Sequence, residues 1–176
     1  MRLHVPTEQD ASLRSPAASA ERAGVALSDD NYRVVALFPI GAGEVILRVY
    51  GIIVDQPSKY SVQVDRGVHV DLPSNMDRHA DPHHYRWRYL NHSCEPNAAL
   101  DGLDLVALRP IERWEEITFD YNTTEESIAV PFRCSCGCCG GRTIRGFRHL
   151  DANEQRALLP RAAEHLRRLT MVRQGA

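Results

Sequence analysis

The sequence predicts a mainly β domain, α+β in class, built of short antiparallel sheets with helices at its C-terminal end. Two observations carry this. Short β-branched runs follow one another and are cut by Gly and Pro: Arg33-Val34-Val35-Ala36-Leu37-Phe38, then Val45-Ile46-Leu47-Arg48-Val49-Tyr50-Gly51-Ile52-Ile53-Val54, a pattern of strands and hairpins. A strong helix-start signal comes late, where Asp151 is followed three residues on by Glu154, the spacing of a capping box.

The elements follow in order. Met1 to about Ser28 is rich in Ala, Ser, Arg and Glu, with Pro6 and Pro16, and lacks sustained periodicity; it reads as a flexible or loosely helical segment. Pro39 to Glu44 is a turn between the first two apolar runs. Tyr60-Ser61-Val62-Gln63-Val64 alternates as a strand, and Gly67 to Leu72 is its antiparallel partner after the Asp65-Arg66 turn. Pro73 to His84 is polar and reads as a short helix or loop. Leu103 to Arg109 alternates as another strand, Pro110 to Trp114 turns, and Glu116 to Tyr121 is extended again. Asp151 opens a helix through Leu159; Pro160, at a first-turn position, opens a second with Ala162, Leu166 and Leu169 on one face, a lid or packing element rather than a recognition device.

At 176 residues the chain fits one domain with a tail. A net charge of -2 points to neither nucleic acid nor membrane, and neither is expected as a partner. The charge is uneven. Glu112 to Glu126 carries six acids against one Arg, and Arg142 to Arg173 eight Arg against three acids; a solvated loop and helix face account for this as well as an acidic rim for a basic peptide does. Lys59 is the only lysine. The N-terminus is polar and no 18-residue apolar run is present, so the expected location is cytoplasmic. Four of the five cysteines fall within six residues, a spacing that suits a metal better than disulfides in a reducing compartment.

Three motifs carry the chemistry. Asn91-His92-Ser93-Cys94-Glu95-Pro96-Asn97 lies between the aromatic run Tyr85 to Leu90 and apolar Ala98 to Leu100, and its Pro96-Asn97 pair fixes a constrained turn. Glu116-Ile117-Thr118-Phe119-Asp120-Tyr121-Asn122 and Phe132-Arg133-Cys134-Ser135-Cys136-Gly137-Cys138-Cys139-Gly140 follow. In that order they resemble the SET-domain family of S-adenosylmethionine-dependent protein-lysine methyltransferases with a post-SET cysteine tail. The resemblance runs from about Arg33 to Leu150. It implies residues 29–128 as the SET domain and 129–150 as a post-SET segment, leaving 1–28 and a helical tail, 151–176, outside.

The resemblance also implies a pseudoknot that sets Tyr121 against Asn91 and His92. Tyr121 then corresponds to the tyrosine beside the transferring methyl, and Phe119 to a position where Phe leaves room for di- or trimethylation. Tyr60 resembles a second channel tyrosine. Asn91 and His92 resemble the pair that holds S-adenosyl-L-methionine, Arg88 and Tyr89 a basic-aromatic pair flanking the same pocket, and Phe132 and Phe147 aromatics that cover the adenine; Trp87 reads as core. Ile40, Gly43 and Glu44 match an Ile-x-x-Gly-Glu turn. The family's Gly-x-Gly is absent where Asp29-Asp30-Asn31-Tyr32-Arg33 stands.

Cys94, Cys134, Cys136 and Cys139, or Cys138 in place of the last, resemble the thiolates that bind Zn2+, although two residues separate Cys136 from Cys139 where the family has four. His69, His79, His83, His84 and His149 read as exposed or core residues.

Methyl transfer from a sulfonium to an amine is an in-line displacement that needs alignment. With a lysine pKa of about 10.4, a neutral amine at pH 7 costs about 4 to 5 kcal/mol, which a dry aromatic channel helps to offset. The expected function is methyl transfer to a lysine of a protein or peptide. The alternatives are a SET-like binding module with little turnover and a methyltransferase acting on a small-molecule amine.

Overall fold

The structure of the protein, a computed structural model, describes residues 22–28, 31–73, 76 and 84–174. Val34, Ala36, Val49, Leu105 and Ile117 are essentially solvent-free and belong to one core. The short strands that carry them wrap around that core.

Among the described residues, twelve strands form five small sheets. β1 (Ala23–Ser28) pairs antiparallel with β2 (Asn31–Ala36). β3 (Val45–Arg48), β9 (Asp104–Ala107) and β8 (Ala98–Asp101) form a second sheet in that order. β4 (Ile52–Val54), β6 (Val68–Asp71) and β5 (Val62–Asp65) form a third. β7 (Asn91–His92) and β10 (Thr118–Phe119) pair in parallel, and β11 (Phe132–Arg133) and β12 (Thr143–Ile144) antiparallel. Every pair but β7 with β10 is antiparallel.

The predicted β5–β6 hairpin is present, with a register shift between Gln63 and Asp65. Two expectations are corrected. Ala23–Ser28, grouped by composition with a flexible segment, is a full strand; its Ala, Gly and Ser carry little intrinsic β preference, and pairing with β2 over six residues supplies the order. Residues 1–21 lie outside the described residues, as does most of the polar stretch 73–84. The second C-terminal helix starts later than Pro160. α1 spans Ala152–Leu158 and carries the expected capping box, Pro160 sits in a 3-10 turn over Leu159–Arg161, and α2 spans Glu164–Gln174. Between them Ala162 is extended, and the Ala163 N–H donates to the Thr123 carbonyl at 2.7 Å. That tertiary bond stops a helix from running through the alanines. The predicted apolar face survives: Ala162 and Leu166 pack with Phe147, and Leu169 adds to them, in a second small core.

Gly146 shows how closely the tail approaches the body. The segment after the cysteines lies against 125–128, with Phe147 N–H donating to the Glu125 carbonyl at 2.8 Å and Ile128 N–H to the Arg145 carbonyl at 2.9 Å. Gly146 has φ +102°, and a Cβ there would lie 2.8 Å from the Ser127 Cα and 2.9 Å from the Glu126 carbonyl oxygen. Gly43 has φ +81° but open space around it. Gly146→Ala should therefore lose about 3 kcal/mol or more, and Gly43→Ala only about 1–2 kcal/mol, both read as shifts in the urea unfolding midpoint; equal losses would show that the close approach carries no energy.

Candidate functional site

The site is built where the chain crosses itself. β7 and β10 align Asn91 with Thr118 and His92 with Phe119, and the Ser93 N–H donates to the Phe119 carbonyl at 3.1 Å. Asn97 fastens the crossing. It is 2% exposed, accepts the Thr118 N–H at 2.9 Å, and donates to the Glu116 carbonyl at 2.8 Å and the Glu115 carboxylate at 2.9 Å. Asn91 adds a second tie, its amide donating to the Tyr32 carbonyl at 3.1 Å and to Glu116 at 2.7 Å.

Beyond Phe119 the extended chain expected through Tyr121 ends early. Asp120 accepts the Asn122 N–H at 2.9 Å and caps a 3-10 turn over Tyr121–Thr123. The turn swings Tyr121 against the crossing. Its N–H donates to His92 Nδ1 at 3.2 Å, its hydroxyl donates to the Leu90 carbonyl at 2.6 Å, and its ring centroid lies 5.3 Å from that of His92. Burial pushes the Tyr121 phenol well above its ordinary pKa, so the hydroxyl stays protonated.

His92 is also buried, and desolvation lowers its pKa to about 4. It is neutral at pH 7, so its 3.6 Å approach to Asp120 is not an ion pair. With Nδ1 accepting from Tyr121, the ring proton sits on Nε2, which points at the Cys94 sulfur 3.4 Å away.

A cleft of about 900 Å³ opens beside this crossing. It is lined by eight of the nine non-cysteine candidates, Tyr60, Arg88, Tyr89, Asn91, His92, Phe119, Tyr121 and Phe132. Phe119 and Phe132 stand 4.8 and 5.8 Å from the Tyr121 ring. Tyr60 is 40% exposed at the rim, with the Arg88 guanidinium 4.1 Å from its ring centre. Tyr89 packs on Tyr32 at 4.9 Å. Trp87 is buried in the core, its indole N–H donating to the Tyr50 carbonyl at 3.0 Å. Phe147 lies outside the cleft, in the small core under α2.

The cysteines close one edge. One ligand atom from each of Cys94, Cys134, Cys136 and Cys139 falls within 4.8 Å of the others. Cys94 and Cys134 are 3.9 Å apart and Cys136 and Cys139 3.7 Å. A tetrahedron with metal–sulfur bonds of about 2.3 Å has edges of about 3.8 Å, so the four sulfurs have the spacing of a metal site. Cys138 is exposed and outside this group.

Several residues of the cleft had no motif to announce them. The Leu90 carbonyl is backbone, Asn31 and Tyr32 come from β2, and Ile128, Ala129 and Val130 follow the acidic stretch. Glu125 also lines the cleft and is only 8% exposed. The reading of Glu112 to Glu126 as a solvated loop is thereby corrected: Asp120 and Glu125 are buried, and Glu115 and Glu116 spend their carboxylates on Asn97, Arg109 and Asn91. Asp29 and Asp30 lie outside the described residues.

A parallel two-residue crossing among antiparallel sheets, with a tyrosine turned into the cleft beside it, defines a self-threaded β domain rather than a sandwich or barrel. Residues 31–122, over half of the chain, match the SET domain family model, and the chain belongs to the SET-domain family. It is 31% identical over 112 residues to the human protein "Histone-lysine N-methyltransferase 2B", covering 56% of this chain and 4% of that one. It is 31% identical over 100 residues to "Methyltransferase flvH" of Aspergillus flavus, covering 53% and 49%. Among solved structures, KRYPTONITE in complex with mCHH DNA, an H3(1-15) peptide and SAH aligns with a TM-score of 0.49 and 23% identity over 69% of this chain and 28% of that one. The chain thus spans from a few per cent to about half of these relatives. Among the described residues no helix is long and apolar enough to cross a membrane.

Glu125 gives the site a measurable pH signature. Burial raises its carboxyl from 4.5 to about 7, so between those values the folded state holds a proton that the unfolded chain has released. Stability then falls as pH rises through that window, by up to about 3 kcal/mol. Glu125→Gln should abolish this component. The stability difference between wild type and variant, measured by urea unfolding from pH 4 to 8, should move in the variant's favour as pH rises; a flat difference would mean the carboxyl is not strained by burial.

Proposed function

We propose that the protein is an S-adenosylmethionine-dependent methyltransferase acting on a lysine amine of a protein or peptide. The observation that carries this reading is the placement of Tyr121 by the crossing, with its ring on His92 and its hydroxyl on the Leu90 carbonyl, in a cleft walled by Phe119 and Phe132. Membership of the SET-domain family and the methyltransferase names of the relatives support it.

When bound, the cofactor supplies a methyl on a sulfonium. Everything else is the work of this chain. Asn91, His92, Tyr89, Arg88 and Phe132 would hold the cofactor and Tyr60, Phe119 and Tyr121 would guide the amine, all of them lining the one cleft. The Leu90 carbonyl and the Tyr121 oxygen place two acceptors beside the aromatic wall, suited to a polarised methyl. Aromatic walls exclude water and lower the cost of a neutral amine. Phe119, with no hydroxyl to hold a water or hydrogen-bond the amine, favours di- or trimethylation. The four-cysteine cluster fits zinc as a closed structural site. There Cys94, immediately after the crossing, would be joined to the tail that carries Phe132.

The test is transfer of isotopically labelled methyl from S-adenosylmethionine into a cell lysate, read in protein and small-molecule fractions. Wild type should label protein at lysine, and Tyr121→Phe should lose on the order of a hundredfold in rate while binding the cofactor. Label confined to small amines would move the acceptor to that class. Cofactor binding without transfer to either fraction would favour a binding module.

Metal analysis checks the cysteines separately. The purified chain should carry about one zinc; Cys139→Ser should lose it and Cys138→Ser keep it, with a lower melting temperature only in the former. Equal zinc content in the two variants would sink the assignment.

A further inference from the structure

Glu125 is a buried carboxyl of which the protein engages only one oxygen. Its Oε1 accepts the Gln63 N–H at 2.8 Å and the Thr124 hydroxyl at 3.2 Å. No hydrogen bond reaches Oε2, and no Arg or Lys pairs with the carboxylate, among the described residues. The side chain lines the same cleft as Tyr60, Phe119 and Tyr121 and lies close enough to Tyr121 for its charge to disfavour ionisation of the phenol. A glutamine would satisfy the Gln63 and Thr124 donors equally well. The negative charge is therefore surplus to the fold, and a buried carboxylate without a cation is unfavourable. Lys59 and Arg88 also line the cleft but sit over the Tyr60 ring, so among the described residues no cation meets this carboxylate until an incoming ammonium brings one.

We propose that Glu125 is the group that docks the acceptor ammonium in the cleft and takes its proton before methyl transfer, an inference that rests on the methyltransferase reading above. The ammonium N–H bond breaks, and the proton passes to Oε2 directly or through one water. The freed lone pair forms the N–C bond as the C–S bond of the sulfonium breaks, leaving a thioether and an alkylated ammonium. The carboxylic acid returns its proton to water when the product leaves.

Burial makes the exchange more nearly balanced. An ordinary lysine ammonium, with a pKa of about 10.4, holds its proton far more tightly than an ordinary carboxylate. Desolvation brings Glu125 to about 7, and the same dry cleft lowers the amine. Charge attraction thus draws the cation in, and loss of water then favours the neutral pair.

The experiment compares wild type, Glu125→Gln and Glu125→Asp. Gln keeps the acceptor that Gln63 and Thr124 use, so it should fold. Initial rates of labelled-methyl transfer are measured with lysate protein as acceptor, and cofactor affinity by calorimetry. Independently of turnover, n-butylammonium, a mimic of the lysine side chain, is titrated into nitrogen-15-labelled protein while the Gln63 amide resonance is followed.

The expected result is unchanged cofactor affinity in Glu125→Gln, at least a tenfold loss of transfer with a raised KM and a lowered kcat, and partial recovery in Glu125→Asp. The Gln63 amide should shift with n-butylammonium in wild type and not in Glu125→Gln. Transfer by Glu125→Gln within twofold of wild type, or an unmoved Gln63 amide in wild type, overturns the role of Glu125 and leaves the methyltransferase reading standing. Failure of wild type to label any acceptor overturns both.

Discussion

The parallel pairing of Asn91–His92 with Thr118–Phe119 is the contact on which the site depends. Two paired residues cannot by themselves repay the entropy of closing the long segment between them. Other groups supply the difference. Asn97 is buried and satisfies both ends of its amide on the opposite segment, and Asn91 reaches across to Tyr32 and Glu116. Ile117, completely buried immediately before β10, anchors the incoming strand in the main core. The crossing is thus held by directional polar bonds at its edges and by apolar burial along its axis. A one-residue slip would move Ile117 out of the core and leave the Asn97 amide unsatisfied inside it.

Position then follows from this one alignment. Phe119 faces the core, and the Asp120 cap turns the chain so that Tyr121 meets His92 and the Leu90 carbonyl. The segment beyond is fixed from behind. Thr123 accepts from Ala163, Thr124 accepts from His165 at 2.8 Å, and Glu125 accepts from Phe147 on its carbonyl and from Gln63 on its side chain. The C-terminal helix therefore packs behind the tyrosine turn rather than over the cleft. Of the two sequence-based options, lid or packing element, these contacts select the second.

Residue types with a fixed chemistry were the legible part of the site. Asn91, His92, Phe119 and Tyr121 stand in motifs whose order implied that they meet, and the chain brings them to one cleft. Strands rich in Val and Ile and the Asp151 cap were legible because local propensity and tertiary structure agree there. Ala23–Ser28 was not, since its order comes from β2 rather than from its own side chains. Glu125 was misread for a deeper reason. A carboxylate in an acidic run is ordinarily solvated, and only the approach of Gln63, Phe147 and α2 from distant parts of the chain removes its water. Burial of a charge is a property of packing, so no local pattern announces it.

His92 ties the cleft to the cysteine cluster in a way that constrains both. Its Nδ1 is committed to the Tyr121 amide, which leaves the Nε2 proton aimed at Cys94. A thiolate at Cys94 accepts that proton in a stronger hydrogen bond than a thiol does. Whatever favours the thiolate therefore also fixes the imidazole, and the imidazole fixes the amide of the tyrosine beside the proposed channel. Two features that look separate in the sequence, a cysteine tail and a His-Tyr pair, thus share one ring. Burial pushes the Cys94 thiol well above its ordinary pKa, so a thiolate there would depend on a bound cation such as the proposed zinc, and that ion would then steady the Tyr121 turn through the same imidazole.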